Sequence, residues 1–125
     1  MEISKVLQIN VDYIKQQNNQ NKDLVERNLY CAGNKICVLF LNEQADEVKI
    51  NDYVIKPLLE EKKFIKTLND ISNTISIAET QEISTLDDCV KEILTGNAIV
   101  LVEGINLALK CAVAKNEHRS VIEPP

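Results

Sequence analysis

The chain has 125 residues and a mass of 14.1 kDa, and it is 45% apolar and 26% charged, the balance of one globular domain with its own core. A formal charge of −5 excludes a surface built to neutralise nucleic-acid phosphates, which requires clustered Lys and Arg. No apolar run approaches the ~20 residues that cross a bilayer, and the charged opening MEISKVLQINVDYIK lacks the apolar centre of a signal peptide, so the segment is expected to be soluble.

Ile3, Val6, Leu7, Val11 and Ile14 recur at helical spacing and predict an amphipathic first helix over residues 3–17. It runs into the Asn/Gln-rich residues 16–21, a solvated loop. Two strands follow, residues 24–31 and 36–41, joined as a β-hairpin around Gly33-Asn34. The second is apolar at both parities and is expected inside the sheet. The first carries Glu26, Arg27 and Asn28 and is expected near an edge. A two-residue turn at Gly33-Asn34 sets Tyr30 opposite Cys37 and Cys31 opposite Ile36, so the two sulfurs point to opposite faces and no disulfide joins them.

Residues 42–49 read as a polar connection. The next helix takes Asn51 or Asp52 as its cap and turns Ile50, Val54, Leu58 and Leu59 inward; Pro57 either kinks it or opens a second helical piece. Lys56, Lys62, Lys63 and Lys66, interleaved with Glu60 and Glu61, read as a solvated helix face rather than an anion site. Phe64, Ile65, Leu68 and Ile71 predict a further helix over about residues 62–72. Ile75 and Ile77 alternate with serines, and the stretch to Glu82 is either an edge strand or irregular chain.

Residues 85–114 are the organising stretch. Ser84 or Thr85 caps a helix with Asp87 and Asp88 in its first turn, and Leu86, Cys89, Val90, Ile93 and Leu94 form its apolar stripe. Gly96 ends that helix. Residues 98–102 are apolar at every position, the mark of a strand covered on both faces. Residues 104–106 turn the chain, which returns with Leu107, Leu109, Cys111 and Val113 on one face. The fold class that follows is α/β (α+β): a mixed sheet of about four strands from two β-hairpins, with helices packed on it, in a single domain over residues 1–125.

Catalytic signatures are missing from the sequence. The three glycines are scattered, so no phosphate cradle is supported. Cys31, Cys37, Cys89 and Cys111 lack any CxxC pair, and with His118 as the lone histidine they predict no zinc site but buried free thiols in a reducing compartment. His118 lies in a polar tail and reads as an exposed side chain. Asp87 and Asp88, adjacent on a helix, point about 100° apart, which suits capping rather than shared proton chemistry. The residues describe a binding or structural module with no enzyme activity, no metal and no cofactor.

Two segments carry a resemblance. Residues 35–59 read KICVLFLNEQADEVKINDYVIKPLL, and residues 86–125 carry LTGNAIVLVEG and end in RSVIEPP. A strand "VLFLN", a helix "IN-x-x-I-x-K-P-L", then "LTGNAIVLVEG" and "RSVIEPP" resemble, in order and spacing, the A subunits of spore germinant receptors (the GerA family), nutrient-sensing membrane proteins of Bacillus and Clostridium spores. One stretch departs from the family: Asn42-Glu43-Gln44-Ala45-Asp46 stands where it has a segment resembling "YIDGLVD", so that turn must be built differently.

The resemblance implies the first lobe of a two-lobed N-terminal region, with the second lobe and the transmembrane helices beyond Pro125. It makes Arg119, Glu123 and Pro124 candidates for the junction between lobes, with Arg119 and Glu123 able to pair across it. It implies B- and C-type receptor subunits and further A subunits as partners, with attachment to the membrane through the missing C-terminal part. The location it implies is the spore inner membrane, this domain facing the cytoplasmic, core side. The function expected on this basis is germination signal transduction and receptor or channel assembly. The alternatives are a lobe that binds a small-molecule nutrient, its site predicted as a concave pocket near a strand end, and the equivalent domain of a stage V sporulation membrane protein.

Overall fold

In the computed structural model, which describes residues 1–19 and 21–115, two hairpins supply four strands of a five-stranded sheet. Strands β1 (Leu24–Cys31), β2 (Asn34–Leu41), β3 (Thr80–Ile83), β4 (Ala98–Val102) and β5 (Ala108–Cys111) lie in the order β1-β2-β4-β5-β3. Every neighbouring pair is antiparallel. The α+β class expected from the sequence is present, with β3 as a further strand on the edge beyond β5. β2 is interior and β1 is an edge, as their compositions require.

The hairpin register differs in detail from the expected one. The turn residues are Ala32 and Gly33, with φ of 51° and 89°, so Cys31 pairs with Asn34 and Leu29 with Ile36. This moves the pairing by an even number of residues and leaves the faces unchanged. Cys31 points into one core and Cys37 into the other.

Alternation along the central strands divides the interior into two layers of side chains. Ile36, Val38, Phe40, Val100 and Val102 face one side, where they meet Ile50, Val54, Leu58, Leu68 and Ile71. Cys37, Leu39, Leu41, Ile99 and Leu101 face the other, where they meet Leu7, Val11, Ile14, Leu86, Cys89 and Ile93. The first cover is formed by α2 (Glu47–Ile50), α3 (Lys56–Glu60) and α4 (Leu68–Thr74), and the second by α1 (Leu7–Gln17) and α5 (Leu86–Leu94). β4 is buried at all of its positions because helices cover it on both faces. Each large aliphatic side chain enclosed this way contributes roughly 1.5–3 kcal/mol.

Several element boundaries correct the sequence reading, each for a tertiary reason. The first helix begins at Leu7, and Val6 is 48% exposed rather than part of the apolar stripe. The buried Asn10 side chain accepts from the Ser4 N–H and donates to the Ser4 carbonyl, each at 2.8 Å, which holds residues 3–6 out of the helix. Its N-terminal cap comes from far along the chain: Glu103 Oε1 accepts from the Leu7 N–H at 3.0 Å. The second helical stretch starts at Glu47, capped by Asp46 rather than by Asn51 or Asp52, and Leu59 is exposed.

Pro57 opens α3 after a π-helical turn, Asn51–Ile55. Proline has no N–H to donate to the carbonyl four residues back and its ring crowds that carbonyl. Here that group is the Tyr53 carbonyl, which accepts instead from the Ser76 N–H at 2.8 Å. The carbonyl that Pro57 cannot satisfy thus anchors the chain at Ser76. The helix expected over residues 62–72 is shortened to α4, capped at Thr67, and residues 61–67 are a loop. The α5 helix follows expectation at its ends, where the Thr85 hydroxyl accepts from the Asp88 N–H and Gly96 adopts φ +99° just past the last turn. Leu94, expected in the apolar stripe, is exposed, and the buried residues are Leu86, Cys89 and Ile93.

Candidate functional site

The groups that might have carried chemistry are committed to structure. All four thiols are buried, and burial pushes Cys37, Cys89 and Cys111 up to about 12, so at neutral pH they are protonated and poor nucleophiles. Among the described residues no three His, Cys, Asp or Glu side chains converge as a metal site. Asp87 ties elements together: its carboxylate accepts from the Met1 ammonium and the Tyr13 hydroxyl, each at 2.7 Å. Those bonds hold the Asp87 carboxyl below its ordinary value, with the ammonium bond the larger cause. Tyr13, on α1, is held above its ordinary value by the same contact.

Two surfaces remain as candidates. One is the corner where the chain leaves β5. The Asp46 N–H donates to the Val113 carbonyl at 2.8 Å, Lys115 N–H donates to the Gln44 carbonyl at 3.0 Å, and Ala45 bridges Ala114. Gly96 closes this corner, since a Cβ there would sit 2.7 Å from the Gln44 carbonyl oxygen. Residues 42–46, the stretch that departs from the family pattern, thus form the seat of the outgoing chain, and Asp46 doubles as the cap of α2. The junction candidates Arg119, Glu123 and Pro124 lie outside the described residues, as does His118. Beside the corner, a small groove of about 230 Å3 is lined by Lys49, Tyr53, Ile77, Glu79 and Ala112.

The other is a groove of about 880 Å3 between α1 and the start of β1, bounded by Asp12, Lys15, Gln16, Asn21, Leu24 and Glu26. Lys15 Nζ meets Glu26 Oε1 at 2.9 Å across it. Glu26 is held below its ordinary value by the Asn28 amide and then by Lys15, and Lys15 is raised by Glu26. The two charges therefore satisfy each other. The sequence reading missed this groove because Lys15 and Glu26 belong to a helix and a strand whose approach is set by packing. The alternating polarity of β1 was the one local signal.

The chain matches the family model described as Bacillus/Clostridium GerA spore germination protein over residues 12–125. It belongs to that family. Spore germination protein A1 of Bacillus subtilis is 24% identical over 124 residues, covering 98% of this chain and 25% of that protein. Spore germination protein GerLA of Bacillus cereus is 30% identical over 119 residues, covering 90% of this chain and 24% of that protein. The chain thus spans about a quarter of the length of these GerA-family relatives. Its fold is similar to the N-terminal domain of the A subunit of the Bacillus megaterium spore germinant receptor GerK3, with a TM-score of 0.73 and 17% identity over 89% of this chain and 47% of that one.

Proposed function

We propose that this domain is an N-terminal lobe of a spore germinant receptor A subunit and acts in signal transmission and receptor assembly. The match to the GerA family across residues 12–125 carries the reading, and the likeness in fold to the N-terminal domain of a receptor A subunit supports it. The partners it implies are B- and C-type receptor subunits and further A subunits, with the protein attached to the spore inner membrane and this lobe on the core side. The reading assigns the lobe no reaction. Rigid seating of the outgoing chain at residues 42–46 and Gly96 suits a lobe that passes a displacement to whatever follows it.

A second reading, direct binding of a nutrient, is favoured by the groove between α1 and β1, which lies near a strand end as that reading requires. Its lining argues for the first. Small-molecule pockets are lined mostly by hydrophobic and aromatic side chains with a few free polar groups, whereas here Leu24 is the one hydrophobic residue of the lining and the Lys15–Glu26 pair is already closed.

Amide NMR of this domain titrated with amino acids, sugars and nucleosides separates the two. Silence from a folded sample agrees with transmission, and a saturable shift centred on Lys15 and Glu26 would overturn it. In the organism that encodes the chain, removing residues 1–115 from the full-length gene should abolish the spores' response to at least one nutrient. An unchanged response to every nutrient would sink the proposed role in signal transmission.

A further inference from the structure

The loop over residues 61–67 is not the solvated helix face that its charge pattern suggested, and its construction points to a contact surface. Phe64 is 63% exposed while its neighbour Ile65 is buried at 3%. Aromatic exposure of this kind in a slack loop would carry no weight, but this loop is pinned along its length. The Glu61 carboxylate accepts from the N–H groups of Lys62 and Lys63, each at 3.0 Å. Asn34, at the β1–β2 turn, donates to the Ile65 carbonyl at 3.1 Å and accepts from its N–H at 3.3 Å. Asp70 Oδ2 accepts from the N–H groups of Lys66 and Thr67 at 2.9 and 3.1 Å. Phe64 is therefore held outward by a fixed backbone.

The same bonds sort the charges. Glu61 and Asp70 aim their carboxylates at the loop's own backbone. Lys62, Lys63 and Lys66 are exposed and form no ion pair with any described residue. Lys35 adds a fourth ammonium from the adjoining hairpin end, and Glu60, Glu61 and Asp70 set three carboxylates against the four, a net of +1. A chain of net charge −5 thus presents here an end whose ammoniums are exposed while Glu61 and Asp70 turn their carboxylates to the backbone, with Phe64 exposed between Lys63 and Lys66 in the sequence.

We infer that this end of the sheet is a docking tip for an anionic lipid surface, with Phe64 entering the headgroup region and Lys62, Lys63 and Lys66 pairing with phosphates. Shape and charge favour this partner. A protein partner would need about 800 Å2 of complementary surface per side, and the apolar part of this loop that is exposed is the single side chain of Phe64. A headgroup layer accepts a single exposed aromatic side chain without shape matching, and each nearby lysine strengthens attachment to it by about fivefold. The acidic remainder of the domain is screened, because charges beyond roughly 8 Å of the membrane feel little of its potential at physiological salt.

The chain contains no tryptophan, so Phe64→Trp in the 125-residue protein gives a fluorescence signal from the tip alone. With vesicles of equal parts phosphatidylglycerol and phosphatidylcholine, its emission should shift to the blue and saturate with lipid. Combining it with Lys62→Gln, Lys63→Gln and Lys66→Gln should weaken this roughly 100-fold, at about fivefold per lysine. Raising salt from about 0.05 M to about 0.5 M should weaken it as well. Flotation of the unmodified protein and of Phe64→Ser with the same vesicles gives a second readout that does not depend on the tryptophan. An equal shift with phosphatidylcholine alone, or no loss in the triple-glutamine variant, overturns the inference. So does a shift that grows with protein concentration in the absence of lipid, which would make the tip's partner a second copy of the chain.

Discussion

Substitution of Gly96 tests how the outgoing chain is seated. Gly33, Gly96 and Gly104 all have positive φ, but their surroundings differ: an added Cβ at Gly104 meets nothing within 4 Å, and one at Gly96 lies 2.7 Å from the Gln44 carbonyl oxygen and 3.1 Å from Ala114 Cβ. Gly104→Ala should therefore cost only the backbone term, about 1–2 kcal/mol for an L-residue forced into a left-handed conformation. Gly96→Ala carries that cost plus the displacement of a backbone carbonyl, about 1–3 kcal/mol by analogy with overpacked sites. The expected total of roughly 2–5 kcal/mol is a large share of the 5–15 kcal/mol typical of a domain.

For a chain of this length the difference between the two variants should appear as a Tm gap of roughly 5–10 °C, measured by circular dichroism. Because the Lys115 N–H donates to the displaced carbonyl, its hydrogen exchange should also accelerate in Gly96→Ala and stay unchanged in Gly104→Ala. Equal melting temperatures for the two variants would refute the claim that residues 42–46 and Gly96 form a closed seat.

Other outcomes follow from the same structure. Ile93→Ala and Leu58→Ala remove fully buried side chains from opposite faces of the sheet, so each should cost about 2–5 kcal/mol in urea unfolding and the double variant should be additive within about 0.5 kcal/mol. Strong coupling between them would contradict the two-layer core. Thr85→Ala deletes the hydroxyl that accepts from the Asp88 N–H and should lower stability by about 1 kcal/mol. The four thiols should resist a disulfide reagent in the native protein and react together on unfolding, and rapid labelling of any one at neutral pH would contradict their burial. Backbone N–H bonds hold Glu61 and Asp70 below their ordinary values of 4.5 and 3.8. Their contribution is complete above those values and is lost as pH falls through the lower folded-state ones. Amide protection of residues 62–67 should accordingly fall in acid below about pH 4.5, and protection unchanged down to pH 2 would contradict the pinned loop.

The sequence by itself determined whatever depends on local patterning. Alternating or continuous apolar runs located both hairpins, and Thr85, the stripe through Ile93 and Gly96 located α5 with its ends. The order of four short segments sufficed to suggest the family to which the chain belongs. Tertiary structure decided whatever depends on partners distant along the chain. The start of α1 is set by Glu103, ninety-six residues away, so no local reading of residues 3–7 places it. Phe64 and Ile65 look alike in an apolar pattern, and Asn34, thirty-one residues earlier, separates them by taking both polar groups of Ile65 and leaving Phe64 outside. The groove at Lys15 and Glu26 and the corner at Gln44, Gly96 and Ala114 exist only where packed elements meet. Side-chain periodicity records which face of an element is dry, whereas caps, seats and exposed tips are fixed by hydrogen bonds that close across the fold.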